Sequence, residues 1–129
     1  MFAIKRETDY AVQLVQFLAT KKDKFVSLKD FADISGISFW FLQKIARKLN
    51  LAKIIEAEQG VMGGYRLKKT NKKLTLLKIF EIMEGKLAVA PCLGVKNYSC
   101  CGKNKDCKNK KMSARLNKEL VKVMQKVKI

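Results

Sequence analysis

The sequence predicts a mainly α protein with a small β-hairpin wing: a winged helix-turn-helix followed by a long C-terminal dimerisation helix. Three observations carry this expectation. Two short amphipathic segments meet at Gly36, a glycine-rich bend at 59–64 separates two short strand-like runs, and the last segment repeats apolar residues at helical spacing among lysines.

Each element follows from local chemistry. Residues 8–20 place Ala11, Leu14, Val15, Phe17 and Leu18 on one face, with Thr8 as the N-cap and Asp9 in the first turn. Ser27 caps a second helix, with Asp30 in the capping-box position, an apolar face of Phe31, Ala32 and Ile34, and Gly36 as its stop. Ser38 then caps a third helix over 39–50 whose inward stripe is Phe41, Leu42, Ile45 and Leu49. Close helix crossing at such a turn needs a small residue (Ala32), a residue tolerant of backbone strain (Gly36) and a buried aliphatic (Leu42). Residues 52–58 and 65–68 supply the strands of a hairpin bent through Gly60, Gly63 and Gly64. A fourth helix runs from Thr75 or Leu76 to Glu84 and ends at Gly85. Finally, Met112, Leu116, Leu120, Val123 or Met124, and Val127 form one apolar stripe on a long basic helix. That stripe is covered either by a second subunit or by the chain's own core.

Charge narrows the function classes. The 129 residues hold 28 Lys and Arg against 11 Asp and Glu, a net charge of +17, which produces a potential that attracts polyanions. Residues 96–129 alone carry eleven of the cations and two of the acids. Histidine is absent, which removes imidazole-based catalysis and mixed histidine-cysteine zinc sites. With no nucleophile elbow, phosphate loop or paired-carboxylate constellation either, an enzyme is not expected. The opening MFAIKRETDY lacks an apolar export segment, and the uncharged run at 87–95 is too short to span a bilayer. The expected setting is cytoplasmic, with no membrane partner.

All four cysteines, Cys92, Cys100, Cys101 and Cys107, fall within residues 92–107 among lysines and polar residues. A reducing compartment disfavours structural disulfides, and clustered thiolates backed by cations make good metal ligands. A bound metal or cluster would also supply local order that this stretch cannot draw from an apolar core.

Taken together, the chain resembles the IscR and NsrR family of bacterial winged-helix transcription regulators. The resemblance runs end to end through Ile4-Lys5-Arg6-Glu7-Thr8-Asp9-Tyr10-Ala11, Ile34-Ser35-Gly36-Ile37-Ser38 with Phe41-Leu42 after it, the wing Gly60-Val61-Met62-Gly63-Gly64-Tyr65, and three spaced cysteines before a terminal helix. It implies a homodimer with crossing C-terminal helices on a roughly palindromic site in double-stranded DNA. It also implies an iron-sulfur cluster, 2Fe-2S or 4Fe-4S, held by Cys92, Cys101 and Cys107. Cys100 is then an extra thiol, able to replace Cys101 or to serve as the fourth ligand. Asp9 matches the acidic position that, in NsrR-like members, reaches the cluster across the dimer, so Asp9 of the partner subunit is the favoured fourth ligand. Lys110 stands where IscR-like members place a histidine, and Gln59 where many relatives carry an arginine. The implied division is a winged helix-turn-helix DNA-binding domain at 1–86, a cysteine-rich cluster-binding loop at 87–110 and a dimerisation helix at 111–129.

On DNA, the third helix would present Ser38, Phe39, Trp40, Gln43 and Lys44 to the major groove, with Gln43 suited to adenine and Lys44 and Ser38 to phosphates or a guanine edge. Trp40 either packs on thymine methyls or sugars or joins the core. Lys5, Arg6 and the wing, through Gln59, Gly60 and Tyr65, would add register-fixing contacts. The rival readings are a structural zinc site using all four cysteines and a metal-free thiol redox switch.

Overall fold

In the computed structural model, α1 (Arg6–Thr20) is the element around which the others assemble. The structure describes residues 3–71, 73–96, 98 and 106–129. Ala11, Leu14, Val15 and Leu18 are buried on one side of α1, as their spacing predicts. The helix begins two residues before the expected cap, because the carbonyl of Lys5 already accepts the N–H groups of Thr8 and Asp9. Thr8 is therefore not a cap. It is 0% exposed, and its hydroxyl donates to Glu84 Oε1 at 2.6 Å, while the same carboxylate oxygen accepts the Lys5 N–H at 3.0 Å. A residue far along the chain thus caps α1 from outside. Thr8→Val preserves the shape but strands part of this carboxylate, and should cost about 1–2 kcal/mol in urea unfolding. An unchanged midpoint would show that the bond contributes nothing.

Helices α2 (Leu28–Ser35) and α3 (Phe39–Leu51) form the helix-turn-helix. Ser27 Oγ accepts the Lys29 N–H at 3.1 Å, and Gly36 closes α2 in the left-handed conformation at φ 73°. Leu28 and Phe31 fill the inward side of α2, whereas Ile34 projects into solvent. The inward stripe of α3 is Leu42, Ile45, Ala46 and Leu49; Phe41 is partly exposed and meets Tyr10 edge-on at 6.1 Å. Both departures have one cause. Both side chains sit at the margin of their helix's inward face, whose centre is filled on α2 by Leu28 and Phe31 and on α3 by Leu42, Ile45, Ala46 and Leu49.

The hairpin pairs β1 (Ile55–Glu58) with β2 (Gly64–Leu67), in antiparallel register from Ile55↔Leu67 to Glu58↔Gly64. Its first strand starts later than expected, because Ala52 is the C-cap of α3 and Lys53 turns the chain at φ 59°. Val26, just before α2, bonds the far side of β2 through paired 2.8 Å contacts with Tyr65, tying the wing to the helix-turn-helix. Thr75 then caps α4 (Leu76–Glu84) by accepting the Lys78 N–H, and Gly85 ends it. A short α5 (Pro91–Gly94), unforeseen in the sequence, starts on a proline and leads to α6 (Lys108–Lys126). After α6 the chain clips onto the approach to α4: Leu76 N–H donates to the Val127 carbonyl at 2.8 Å and Ile129 N–H to that of Leu74 at 3.0 Å. Leu14, Leu42, Ile45, Leu49, Ile54, Ile55 and Ile79 form the centre of the core.

Candidate nucleic-acid interface and cysteine site

The core consumes one side of α3 and leaves the other to solvent. Phe39, Trp40, Gln43 and Lys44 are all exposed on it, and they share an arc of about 140° with Arg47, also exposed. Trp40 is 78% exposed, so it belongs to the surface and not the core. Arg47 was missed because a cation in the middle of a basic amphipathic helix carries no distinguishing pattern; only the helical phase places it beside Gln43. Ser38 is exposed at the N-cap position of the helix. Lys48, one residue after Arg47, turns back to the body, meeting Glu7 Oε2 at 3.3 Å and the carbonyl of Met83. It links α3 to α1 and α4 at the edge of the core.

The remaining candidates scatter around this face. Gln59 and Gly60 are exposed at the wing, whereas Tyr65 is half-buried, packs against the core and bonds Val26 through its backbone. Lys5 and Arg6 are exposed at the start of α1. Several acids are matched by nearby cations: Glu56 with Arg66, Glu7 with Lys48, Asp23 with Lys69, Asp106 with Lys111 and Glu119 with Lys122. Such exposed pairs contribute little stability, but they leave the large cation excess to dominate the surface potential.

Two candidate ligands can be placed at the junction of α5 and α6. Cys92 lies within α5 and Cys107 is the N-cap residue of α6; both thiols are free and half-buried. Cys107 Sγ accepts the Lys110 N–H at 3.4 Å, and Asn117 Oδ1 on α6 accepts the Val89 N–H just before α5 at 3.0 Å, so the two elements are held together. Cys100 and Cys101 lie outside the described residues. Asp9 sits on α1 in a shallow hollow with Ile4, Arg6, Val12 and Leu76, its Oδ2 accepting from Gln13 Nε2 at 3.1 Å. Among the described residues, no three of Cys, Asp and Glu converge in one chain. The donors present are nevertheless soft, half-buried sulfurs, one of them at the N-cap of α6, a donor type that suits iron or zinc.

Helix α6 is two-sided. Leu120 and Met124 border a cavity of about 320 Å³ with Ile4, Leu76, Phe80 and Leu87, on the chain's own body. Met112, Leu116, Val123 and Val127 lie within an arc of about 60° beside them and are exposed.

A wing bonded to a helix-turn-helix whose second helix bares polar, cationic and aromatic side chains defines a winged-helix DNA-binding transcription regulator. Residues 4–129 match the model of the Rrf2 family, described as an iron-dependent transcriptional regulator, and the chain belongs to that family. It is 33% identical over 116 residues to the HTH-type transcriptional regulator NsrR of Bacillus licheniformis, covering 85% of this chain and 80% of that protein. Four further curated relatives are matched over 52% to 69% of their length. Among solved structures, T. potens IscR superposes with a TM-score of 0.76 at 22% identity, covering 98% of this chain and 82% of that one. CymR (YrzC), the global cysteine regulator of B. subtilis, does so at 0.75 and 20%, covering 99% and 93%. These relatives are regulators of transcription, not enzymes. No helix among the described residues is long and apolar enough to cross a membrane.

Proposed function

We propose that the chain acts as a homodimer whose grip on a roughly palindromic operator is set by an iron-sulfur cluster. Cys92, Cys107 and Cys101 would hold the cluster, with Asp9 of the partner subunit as the fourth ligand. The observation that carries this reading is the position of Cys107 as the N-cap residue of α6. A ligand bond there acts directly on the start of the helix that bears the exposed apolar stripe, so occupancy of the site and placement of the two reading heads become one equilibrium. When bound, the cluster supplies an oxidisable centre with an exchangeable ligand. A carboxylate holds iron less firmly than a thiolate, which leaves that position open to a small diatomic ligand. On the DNA side, α3 would read bases through Gln43 and Trp40, while Ser38, Lys44 and Arg47 meet phosphates or guanine edges.

The test is anaerobic purification with an absorption spectrum, assays of iron, sulfide and zinc, and operator affinity with and without the bound group. The expected result is a coloured protein with iron and sulfide, no iron in Cys107→Ser, a shorter-lived chromophore in Asp9→Ala, and operator affinity at least about tenfold different between the two forms. A colourless protein with stoichiometric zinc would establish the structural-zinc reading instead. A metal-free protein forming a reversible disulfide would establish the thiol switch.

A further inference from the structure

The end of the wing does not suit a phosphate clamp. Residues 59–64 carry no charge in a chain with 28 Lys and Arg. At its apex Val61 is 103% exposed and Met62 89%, the highest exposures among the large apolar side chains of the described residues. They occupy the two central positions of a turn closed by the Gly63 N–H donating to the Gly60 carbonyl at 3.1 Å. Such corners ordinarily take Gly, Asn, Asp or Ser, whose conformations and polarity suit them, so two apolar residues there work against both turn propensity and solubility. The apex is also firmly based: a Cβ on Gly63 would strike the backbone of Glu58 and one on Gly64 that of Val26. Through Val26 the hairpin is bonded to the segment entering α2, which ties the wing to the helix-turn-helix.

We propose that Val61 and Met62 form an apolar wedge that enters the minor groove flanking the half-site read by α3 and opens a base step there. The proposal rests on the reading of α3 as the base-reading helix. The occupant is duplex DNA, because the hairpin follows the reading helix directly in the chain and Lys53 and Lys68 flank its base on the phosphate side, while Arg66 and Lys69 are paired with Glu56 and Asp23. A minor groove about 6 Å wide admits a two-residue apex, and inserted apolar side chains bend DNA by partly unstacking one step. The step chosen should be a flexible pyrimidine-purine one, so the wing would select sequence through deformability and without hydrogen bonds to bases.

The experiment selects duplexes from a random library with the wild-type chain. The preferred duplex, dye-labelled at both ends, is then used to compare wild type with Val61→Ser/Met62→Ser by affinity, end-to-end energy transfer and salt dependence. The variant should bind about tenfold more weakly, leave the duplex straighter, lose the preference for a flexible flanking step and keep the salt slope, since no phosphate contact is removed. Equal affinity and bend in the two proteins would overturn the wedge while leaving α3 reading DNA. A changed sedimentation coefficient with unchanged DNA binding would reassign the apex to a protein contact. Wild type that enriches no duplex would overturn the DNA reading itself.

Discussion

Leu116→Lys combined with Val123→Lys should give a monomer by sedimentation, with operator affinity about a hundred- to ten-thousand-fold lower, because two linked reading heads become two independent ones. Both residues lie on the exposed stripe of α6, where a lysine costs nothing in the isolated chain but places like charges inside a symmetric contact. The control is Leu120→Lys, whose side chain faces the cavity with Phe80 and Leu87. That change should lower stability and leave association to follow from it. A dimer surviving the double substitution would move the interface off α6.

Gly64→Ala should be among the most destabilising single changes in the wing. Gly64 holds φ 145°, and an added Cβ would meet the carbonyl of Val26 and the nitrogen of Ser27, backbone atoms that cannot swing aside. Strain and overpacking together come to about 2–5 kcal/mol. Gly60→Ala makes the comparison: φ is 113° there, but nothing lies within 4 Å, so only the backbone term of about 1–2 kcal/mol applies. Urea midpoints that fall equally for the two would show that the approach of β2 to Val26 is looser than the structure has it.

The helix-turn-helix, hairpin and α4 were legible because their signals are local. Ser27, Gly36, Thr75 and Gly85 each act on backbone within a few residues, so their meaning does not depend on the rest of the fold. Thr8 was misread for the opposite reason: its partner is Glu84, 76 positions away, and a threonine before an apolar run reads as a cap until that partner is known. Trp40, Ile34 and Phe41 show the limit of periodicity. Apolar spacing gives a helix phase but not how wide an arc the neighbours cover. The same limit hid the two-sidedness of α6, where Leu116 and Leu120 sit on adjoining arcs with different surroundings. For the cysteine site, residue types and spacing were legible in the chain, whereas the placement of Cys92 in α5 and Cys107 at the N-cap of α6 depends on where those helices begin.

The clip at the C-terminal end has a mechanical consequence. Val127 and Ile129 bond the backbone of Leu76 and Leu74, so that end of α6 is pinned to the body, and Asn117 near the middle of the helix accepts the Val89 N–H. A 19-residue helix is a rod about 28 Å long, and its Cys107 end lies beyond both ties, so any tilt there also draws on the Asn117–Val89 bond. A tilt of about 5° about that pivot carries the Cys107 end through about 2.5 Å and barely moves Val127. Displacement applied at the sulfur is therefore graded along the rod, largest under Met112 and smallest under Val127, so the stripe would open like a hinge and not slide.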